Sequence, residues 1–313
     1  MSKKYLITIG IAIVYLFPAP ASALQIPLDG NALASFMGVK APAYAVIDME
    51  NGELLISKNA EQPRIPASLT KLITLLVVLD TKPKLNKSVA MTKEDQVVGM
   101  CSNRGVCIKS ASGVKFTVDG LFHATLILSA NNAANALARS TGMSAEEFAE
   151  KMNEKAKSLG AMSSHFNEPT GLDPANVVTA ADYGKVLTAA FKEPYLAKIA
   201  GLPNYTLRST NNSRYNQTIK NSNKLLKDSD LEVLVAKTGY LDESLYNFST
   251  VVRYRNGKEL GIVVLGEDHL YTAFDETKLL ARLGEESRAL ALLNNFAGFF
   301  SAGSQQLNNN STN

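Results

Sequence analysis

Ser68 and Lys71 stand three residues apart at the start of a strongly apolar segment that continues to Leu79 and ends before Pro83. In a helix, this spacing places both side chains on one face, close enough to interact. A serine hydroxyl is a weak nucleophile that needs an adjacent base, and a lysine serves as one when burial lowers its pKa. The pair indicates nucleophilic catalysis, but taken alone Ser68 is more simply explained as a helix N-cap.

A second polar pair, Ser129 and Asn131, interrupts a long helical pattern that the sequence predicts over 118–139. Serine and asparagine are poor helix-interior residues, so this break indicates either a polar site or a kink or cap. In a site, Ser129 would relay a proton to the leaving group, and Asn131 would hold Lys71 and the substrate. The other Ser-x-x-Lys and Ser-x-Asn sequences lie in a turn, a hairpin end, a loop and the tail, at Ser112, Ser57, Ser209 and Ser311.

A third motif, Lys237-Thr238-Gly239, follows a short apolar strand predicted over 231–236. A lysine and a threonine at a strand end bind a substrate carboxylate by charge and by hydroxyl, and a glycine lets another chain approach the backbone closely. An edge-strand lysine before a turn is the alternative. The order of the three motifs, each on a suitable element, favours a serine enzyme that passes through an acyl-enzyme.

Other chemistries have less support. The three histidines, His123, His165 and His269, are scattered without metal-ligand spacing, and no phosphate-binding glycine loop is present, so we expect no metal and no cofactor. A Ser-His-Asp triad stays open on sequence grounds, although there is no Gly-x-Ser-x-Gly elbow. The net charge of +3 gives no electrostatic case for nucleic-acid binding.

The N-terminus has the layout of a secretory signal peptide. Two lysines at positions 3 and 4 precede an apolar run over 5–17 and a small-residue ending, Ala21-Ser22-Ala23. This pattern predicts cleavage after residue 23 rather than a membrane anchor, because the apolar run is short. We therefore expect a periplasmic or secreted protein with no stable membrane span after cleavage. In such a compartment Cys101 and Cys107 are expected to form a disulfide, with free or metal-binding thiols as the alternative.

The predicted elements follow the order strands, helices, strands, helix. Asn-Gly turns at 51–52 and 256–257 each join two strand-like runs, 44–49 with 54–57 and 246–254 with 259–265. Helices are expected over 145–158, 180–190 and 277–300, a turn-rich loop over 167–174, and a disordered tail over 301–313. Two hairpins so far apart in sequence can share one antiparallel sheet, with the helical middle inserted beside it.

The chain resembles the low-molecular-weight penicillin-binding proteins, which are D-alanyl-D-alanine carboxypeptidases and endopeptidases. The resemblance runs from about Tyr44 to Leu280 and is carried by segments 66–71, 129–138, 152–160, 169–173, 178–182 and 237–240. It implies an α/β (α+β) fold of the β-lactamase/transpeptidase type, in which terminal helices flank an antiparallel sheet. We accordingly expect a catalytic domain over 24–285 with a mostly helical insertion at about 91–200, then a C-terminal helix and tail over 286–313.

The resemblance also implies roles for the motif residues. Ser68 would be the acylated nucleophile, with Lys71 as its base, and Ser129 and Asn131 would assist. Substrate binding would fall to the third motif and its neighbour, namely Lys237, Thr238, Gly239 and Tyr240, with the backbone N–H groups of Ser68 and Tyr240 forming an oxyanion hole. The implied partners are peptidoglycan stem peptides, with β-lactams as covalent inhibitors.

The chain departs from the family pattern at several points. Leu241-Asp242-Glu243-Ser244-Leu245 replaces the threonine and Ala-Gly pair that often follow this motif, and 267–277 contains no carboxylate-binding arginine. From the length of the sequence we also expect no C-terminal β-domain. These departures bring it closer to the shorter endopeptidases. The alternatives are a β-lactamase, with Glu168 as its deacylating base, and a wall-binding protein of the same fold with impaired catalysis.

Overall fold

The structure, a computed structural model, describes residues 31–287 apart from 32–33, 36, 97–100, 102–104, 229–230 and 255–256. The predicted signal peptide over 1–23, the tail over 301–313 and the end of the predicted helix over 277–300 lie outside the described residues. None of the described helices is long and apolar enough to cross a membrane.

Nine strands are described, and five of them form one antiparallel sheet in the order β2-β1-β9-β8-β7. The first and last hairpins therefore share a sheet, as predicted, because β1 pairs with both β2 and β9. The strands are β1 (Ala43–Asp48), β2 (Leu54–Lys58), β3 (Ser88–Ala90), β4 (Lys115–Thr117), β5 (Asn204–Leu207), β6 (Gln217–Lys220), β7 (Glu232–Leu241), β8 (Leu245–Arg253) and β9 (Glu259–Glu267).

The helices mostly follow the predicted pattern. A short 3-10 helix, Ala67–Thr70, leads directly into the first α-helix, and Ser144 caps the fourth through a capping box with Glu147. Among the α-helices that lie between β1 and β9, the sequence missed Pro194–Ala200. The α-helices are α1 (Lys71–Asp80), α2 (Val118–His123), α3 (Asn131–Ser140), α4 (Ala145–Ser158), α5 (Ala180–Lys192), α6 (Pro194–Ala200) and α7 (270–287).

The prediction of one long helix over 118–139 is wrong. After α2 the chain makes a π-helical turn, Ala124–Leu128, and Ser129 then adopts a left-handed conformation with φ +70°. The backbone leaves the helix at Ser129 and re-enters it at Asn131. The polar break that the sequence indicated is therefore present as a kink between two helical segments.

The third motif is also placed differently from the prediction, which ended the strand at residue 236. β7 continues to Leu241 because it keeps pairing with β8, from Lys237 opposite Ser249 to Leu241 opposite Leu245. The motif therefore lies within a strand at the edge of the described sheet, paired with β8.

Apolar side chains cover both faces of the sheet. One cluster joins the sheet to α1, α3 and α5, and it includes Leu72, Tyr183 and Val235. The other joins the opposite face to α7, with Phe248 packed edge-on against Phe274. Since α1 is buried from Lys71 to Val78, it runs through the interior, as its uniformly apolar sequence predicts.

The chain between β2 and β7 carries α1 to α6 and two short ribbons, β3 with β4 and β5 with β6. The ribbons were missed from the sequence because three or four residues give too little alternation to recognise. In the same region Cys101 and Cys107 form a disulfide, as predicted, with their Cα atoms 5.3 Å apart.

Candidate active site

Ser68 lies in the 3-10 turn before α1, between the buried residues Ala67 and Leu69. Its side chain caps no helix, because the N-cap positions belong to Pro66 and Thr70 and neither makes a side-chain cap bond. The helix-cap explanation of Ser68 is therefore wrong. Ala67 has φ +49°, a left-handed conformation that L-residues rarely adopt, so the nucleophile candidate follows a strained residue.

Lys71 is fully buried at the start of α1. Its Nζ atom donates to Ser68 Oγ at 2.8 Å, to Asn131 Oδ1 at 2.7 Å and to the carbonyl oxygen of Thr170 at 2.5 Å. Burial lowers the pKa of Lys71 to about 7, although the Glu168 charge acts in the opposite direction. An ammonium uses all three acceptors. A neutral amine keeps two of them and turns its lone pair to the serine hydroxyl.

Ser129 and Asn131 reach this centre because of the helix break. The left-handed Ser129 points its Oγ to Lys237 Nζ, which donates to it at 2.7 Å, while Asn131 binds Lys71. The break therefore lets two residues that are close in sequence serve two different lysines.

Lys237 is the second buried lysine, only 1% exposed, and it also donates to the carbonyl oxygen of Thr238 at 2.8 Å. Burial, and then the charge of Lys71, hold the pKa of Lys237 well below its ordinary value. The half-buried Thr238 hydroxyl lies 2.8 Å from Ser222 Oγ, a contact that sequence reasoning missed. The two buried lysines of the site thus lie close enough for the charge of Lys71 to lower the pKa of Lys237.

Gly239 brings β7 against the serine turn. A Cβ atom at this position would lie 2.8 Å from the carbonyl oxygen of Pro66 and 3.2 Å from the Ser68 nitrogen. The close approach expected of this glycine is therefore confirmed. The next residue, Tyr240, is 39% exposed, stacks on Tyr246 and donates its hydroxyl to Asp242.

The loop over 167–174 is held by a carboxylate whose structural role the sequence did not reveal. Glu168 accepts backbone N–H bonds from Thr170, Gly171 and Leu172 and a side-chain bond from Asn176. These contacts fix the loop that offers the Thr170 carbonyl oxygen to Lys71. A glutamate two residues before a Thr-Gly turn was the available signal.

Two further buried polar groups hold the serine turn, Asn247 from β8 and Tyr183 from α5. Asn247 donates to the carbonyl oxygen of Ile65 and accepts from the Gly266 nitrogen, and the Tyr183 hydroxyl donates to the carbonyl oxygen of Leu69. The signal for Asn247 is a polar residue in an otherwise strand-like run.

A cleft of about 810 Å³ adjoins the site. Its walls are α3, the start of α4, the 167–174 loop and the end of β7 with the turn that follows it. Asn135, Arg139, Glu168 and Tyr240 line it, together with the acidic pair Asp242 and Glu243. No group of three or more His, Cys, Asp or Glu side chains within the described part of the chain is placed to hold a metal ion.

The antiparallel sheet covered on both faces, with a serine–lysine pair at its edge, defines a serine peptidase with the fold of the penicillin-binding proteins. A family model described as D-alanyl-D-alanine carboxypeptidase matches residues 31–269, and the chain belongs to that family. The predicted fold class and the predicted enzyme class, a serine peptidase, are confirmed.

The similar proteins include an endopeptidase, a transpeptidase and a carboxypeptidase. The chain is 31% identical over 226 residues to a D-alanyl-D-alanine endopeptidase of Haemophilus influenzae, covering 72% of this chain and 75% of that protein. Among solved structures, a Streptomyces DD-transpeptidase superposes with a TM-score of 0.73 at 26% identity, covering 79% of this chain and 97% of that one. A D-alanyl-D-alanine carboxypeptidase from Mycobacterium tuberculosis gives 0.70 at 28% identity, covering 86% and 96%.

Proposed function

We propose that this protein is an exported D-alanyl-D-alanine carboxypeptidase or endopeptidase that hydrolyses peptidoglycan stem peptides or their crosslinks through an acyl-enzyme on Ser68. The observation that carries the proposal is the 2.8 Å contact between Lys71 Nζ and Ser68 Oγ, made by a lysine that burial brings to a pKa of about 7. A general base works best when its pKa is close to the operating pH.

In the proposed acylation step, neutral Lys71 takes the hydroxyl proton of Ser68 while Oγ attacks the scissile carbonyl carbon. Asn131 Oδ1 and the Thr170 carbonyl oxygen, already bonded to Lys71, stabilise the ammonium that forms. The backbone N–H groups of Ser68 and Tyr240 would hold the developing oxyanion.

When the tetrahedral intermediate collapses, the carbon–nitrogen bond breaks and the leaving amine takes a proton. Ser129 is the proposed relay: its hydroxyl, which accepts from Lys237, passes its own proton to the leaving nitrogen and takes up the proton that Lys71 received from Ser68, so that Lys71 becomes neutral again. Water then attacks the ester on Ser68, with Lys71 again as the base, and releases the shortened peptide as a carboxylic acid.

The orientation of the bound substrate is proposed from the positions of Lys237, Thr238 and Tyr240 along β7. Lys237 and Thr238 are proposed to bind the carboxylate of the leaving residue, so the acyl-donor peptide continues past Tyr240 into the 810 Å³ cleft. The cleft is lined by apolar residues such as Phe148 and by charged ones such as Arg139, and its volume offers room for more than one residue of the donor.

A β-lactamase function has less support. Class A enzymes use a glutamate for deacylation, and the candidate here, Glu168, has its carboxylate bonded to the backbone of its own loop. Intact Ser68, Lys71, Asn131 and Lys237 likewise argue against a wall-binding protein without turnover.

The proposal is tested by labelling the purified mature protein with a fluorescent penicillin, which acylates the serine and leaves slowly because its leaving group stays tethered. We expect one covalent label on wild type and none on Ser68→Ala. Ser112→Ala is the matched control, since Ser112 begins the other Ser-x-x-Lys sequence, and it should label normally. If folded wild type takes up no label, the proposal is wrong.

Mass analysis of muropeptides digested by the enzyme then separates the two reactions. Release of D-alanine identifies a carboxypeptidase, whereas conversion of crosslinked dimers to monomers identifies an endopeptidase. Export has its own test, because N-terminal sequencing of protein recovered from the periplasm or medium should begin at Leu24.

A further inference from the structure

The segment 105–110, which the Cys101–Cys107 disulfide joins to residue 101 and which we call the disulfide-closed segment, lies against the turn that carries Asn131. The backbone N–H of Asn131 donates to the carbonyl oxygen of Val106 at 2.7 Å. Val106 itself is 46% exposed, so a surface residue contacts the backbone of a residue that binds Lys71. This contact links the outside of the molecule to the proposed base through two hydrogen bonds.

Asn132 fixes the same segment from the other side. Its side chain, 1% exposed, accepts from the Ile108 nitrogen at 3.1 Å and donates to the Ile108 carbonyl oxygen at 3.0 Å. It also lies 3.2 Å from Ser110 Oγ. A side chain that satisfies both backbone groups of a buried residue holds that residue in one place, because either group left unpaired is unfavourable.

The turn at Asn131 needs support from outside. α3 begins after Ala130, which offers no side-chain cap, and Ser129 before it is left-handed. The first N–H groups of a helix have no partner within the helix. For Asn131 the Val106 carbonyl oxygen supplies that partner, so the position of the segment sets where α3 starts.

We propose that Asn132 and the disulfide-closed segment 105–110 form a positioning element that holds Asn131 against Lys71, and that breaking the Cys101–Cys107 disulfide slows acylation. Neither Asn132 nor the cysteines contact the reacting atoms in this account. The inference rests on the proposed function, since it concerns the same Ser68–Lys71 pair.

The disulfide is open to a reducing agent, because Cys101 is exposed and Cys107 partly so. A dithiol such as dithiothreitol transfers two electrons and two protons to the disulfide, which becomes two thiols while the dithiol is oxidised to its own disulfide. The freed Cys107 then no longer restrains Val106, and the hold on the Asn131 N–H weakens.

Loosening this element admits water to Lys71. Because desolvation is the main cause of the lowered pKa of that lysine, hydration moves it back towards the ordinary value. The charged groups that face Lys71 are Glu168 from the 167–174 loop and Lys237 from β7, and neither belongs to the positioning element. We therefore expect a rise in the pH midpoint of acylation, the pH at which the acylation rate reaches half of its alkaline maximum.

The test compares the pH profile of penicillin acylation for wild type, Asn132→Ala and the double variant Cys101→Ser/Cys107→Ser. A midpoint one unit higher makes acylation about fivefold slower at pH 7 and leaves the alkaline plateau unchanged. The control is Asn211→Ala, since Asn211 also bridges backbone groups, at Gly113 and Lys115, without contact to the site. Its midpoint should equal that of wild type.

Reduction of folded wild type by dithiothreitol gives the same test without a substitution. It should raise the midpoint, and it should add nothing in the double cysteine variant. Wild type that takes no label refutes the proposed function itself. A second outcome refutes the positioning element alone. In that outcome wild type takes up the label, but the pH midpoint rises neither in the variants nor in the reduced enzyme, even if their thermal stability falls.

Discussion

Gly171 packs against Ala67 so closely that no side chain fits between them. A Cβ atom on Gly171 would overlap the Ala67 carbonyl oxygen and lie 2.9 Å from the Ser68 nitrogen, and Gly171 has φ +85°. This contact seats the 167–174 loop on the serine turn and so aims the Thr170 carbonyl oxygen at Lys71. The loop and the serine turn therefore act as one unit.

Gly171→Ala is expected to push the 167–174 loop away from the serine turn. Overpacking and left-handed strain together should reduce the free energy of unfolding by about 3 kcal/mol or more, and penicillin acylation should be lost. Urea denaturation and the labelling rate measure the two effects.

Gly142→Ala is the matched control for this substitution. Gly142 also has φ +85°, but a Cβ atom there meets nothing within 4 Å. Gly142→Ala should lower the free energy of unfolding by only about 1–2 kcal/mol, the cost of the left-handed strain, and should keep the acylation rate of wild type. If the two variants lose the same stability and acylate at the same rate, the close contact between Gly171 and Ala67 does not contribute to acylation.

Lys71→Arg should slow acylation strongly, because it replaces a lysine that can lose its proton near pH 7 with a side chain that stays charged. Arginine is not deprotonated in proteins, so it offers no lone pair to the Ser68 hydroxyl. We expect the acylation rate to fall by about 10²–10⁴-fold, the usual contribution of a general base. The control is Lys155→Arg, a surface lysine 2.9 Å from Asp80, which should acylate as wild type does. A near-normal rate in Lys71→Arg would remove Lys71 from the base role.

The pH dependence of acylation should follow Lys71. The pKa of its ammonium is lowered to about 7, so the neutral, active form increases as the pH rises through 7 and dominates above it. The rate should climb about tenfold per unit below that pH and level off above it. Stopped-flow labelling with a fluorescent penicillin from pH 5 to 9 measures this. A flat profile through neutrality would contradict it.

How far the sequence predicted these features depended on the range of the interactions. The hairpins β1–β2 and β8–β9 follow from local Asn-Gly turns, and α4 follows from its capping box and amphipathic pattern. The motif residues Ser68, Lys71, Asn131 and Lys237 were identified by spacing, and the structure brings them together.

The parts that were missed depend on partners far away in the chain. β7 continues through Lys237 to Leu241 because β8 pairs with it, although lysine and glycine have low strand propensity. Ser129 leaves the helix in a run whose composition favours helix. Asn132 and Asn247 bind backbone groups 24 and 182 residues away in the chain, partners that the sequence around each asparagine does not identify.

A last prediction concerns two buried carboxyl groups between the sheet and α7. Glu267 at the end of β9 is 5% exposed, and Glu276 on α7 is 7% exposed and accepts from the backbone nitrogens of Lys40 and Ala41. Burial, and then the charge of Glu276, raise the pKa of Glu267 to about 7. Between about pH 4.5 and about pH 7 the folded protein therefore keeps a proton on Glu267 that the unfolded chain has released.

The sign of the effect on stability follows directly. A carboxyl whose pKa is raised in the folded state favours folding below its unfolded pKa, and this contribution is lost as the pH rises through the folded pKa. Glu267→Gln stays neutral at every pH, so its stability relative to wild type should increase from pH 5 to pH 8. Urea unfolding midpoints of both proteins at pH 5, 6.5 and 8 test this, with the exposed Glu61→Gln as a control whose offset stays constant. If the Glu267→Gln offset is equally constant, the Glu267 carboxyl is ionised in the folded protein throughout that range.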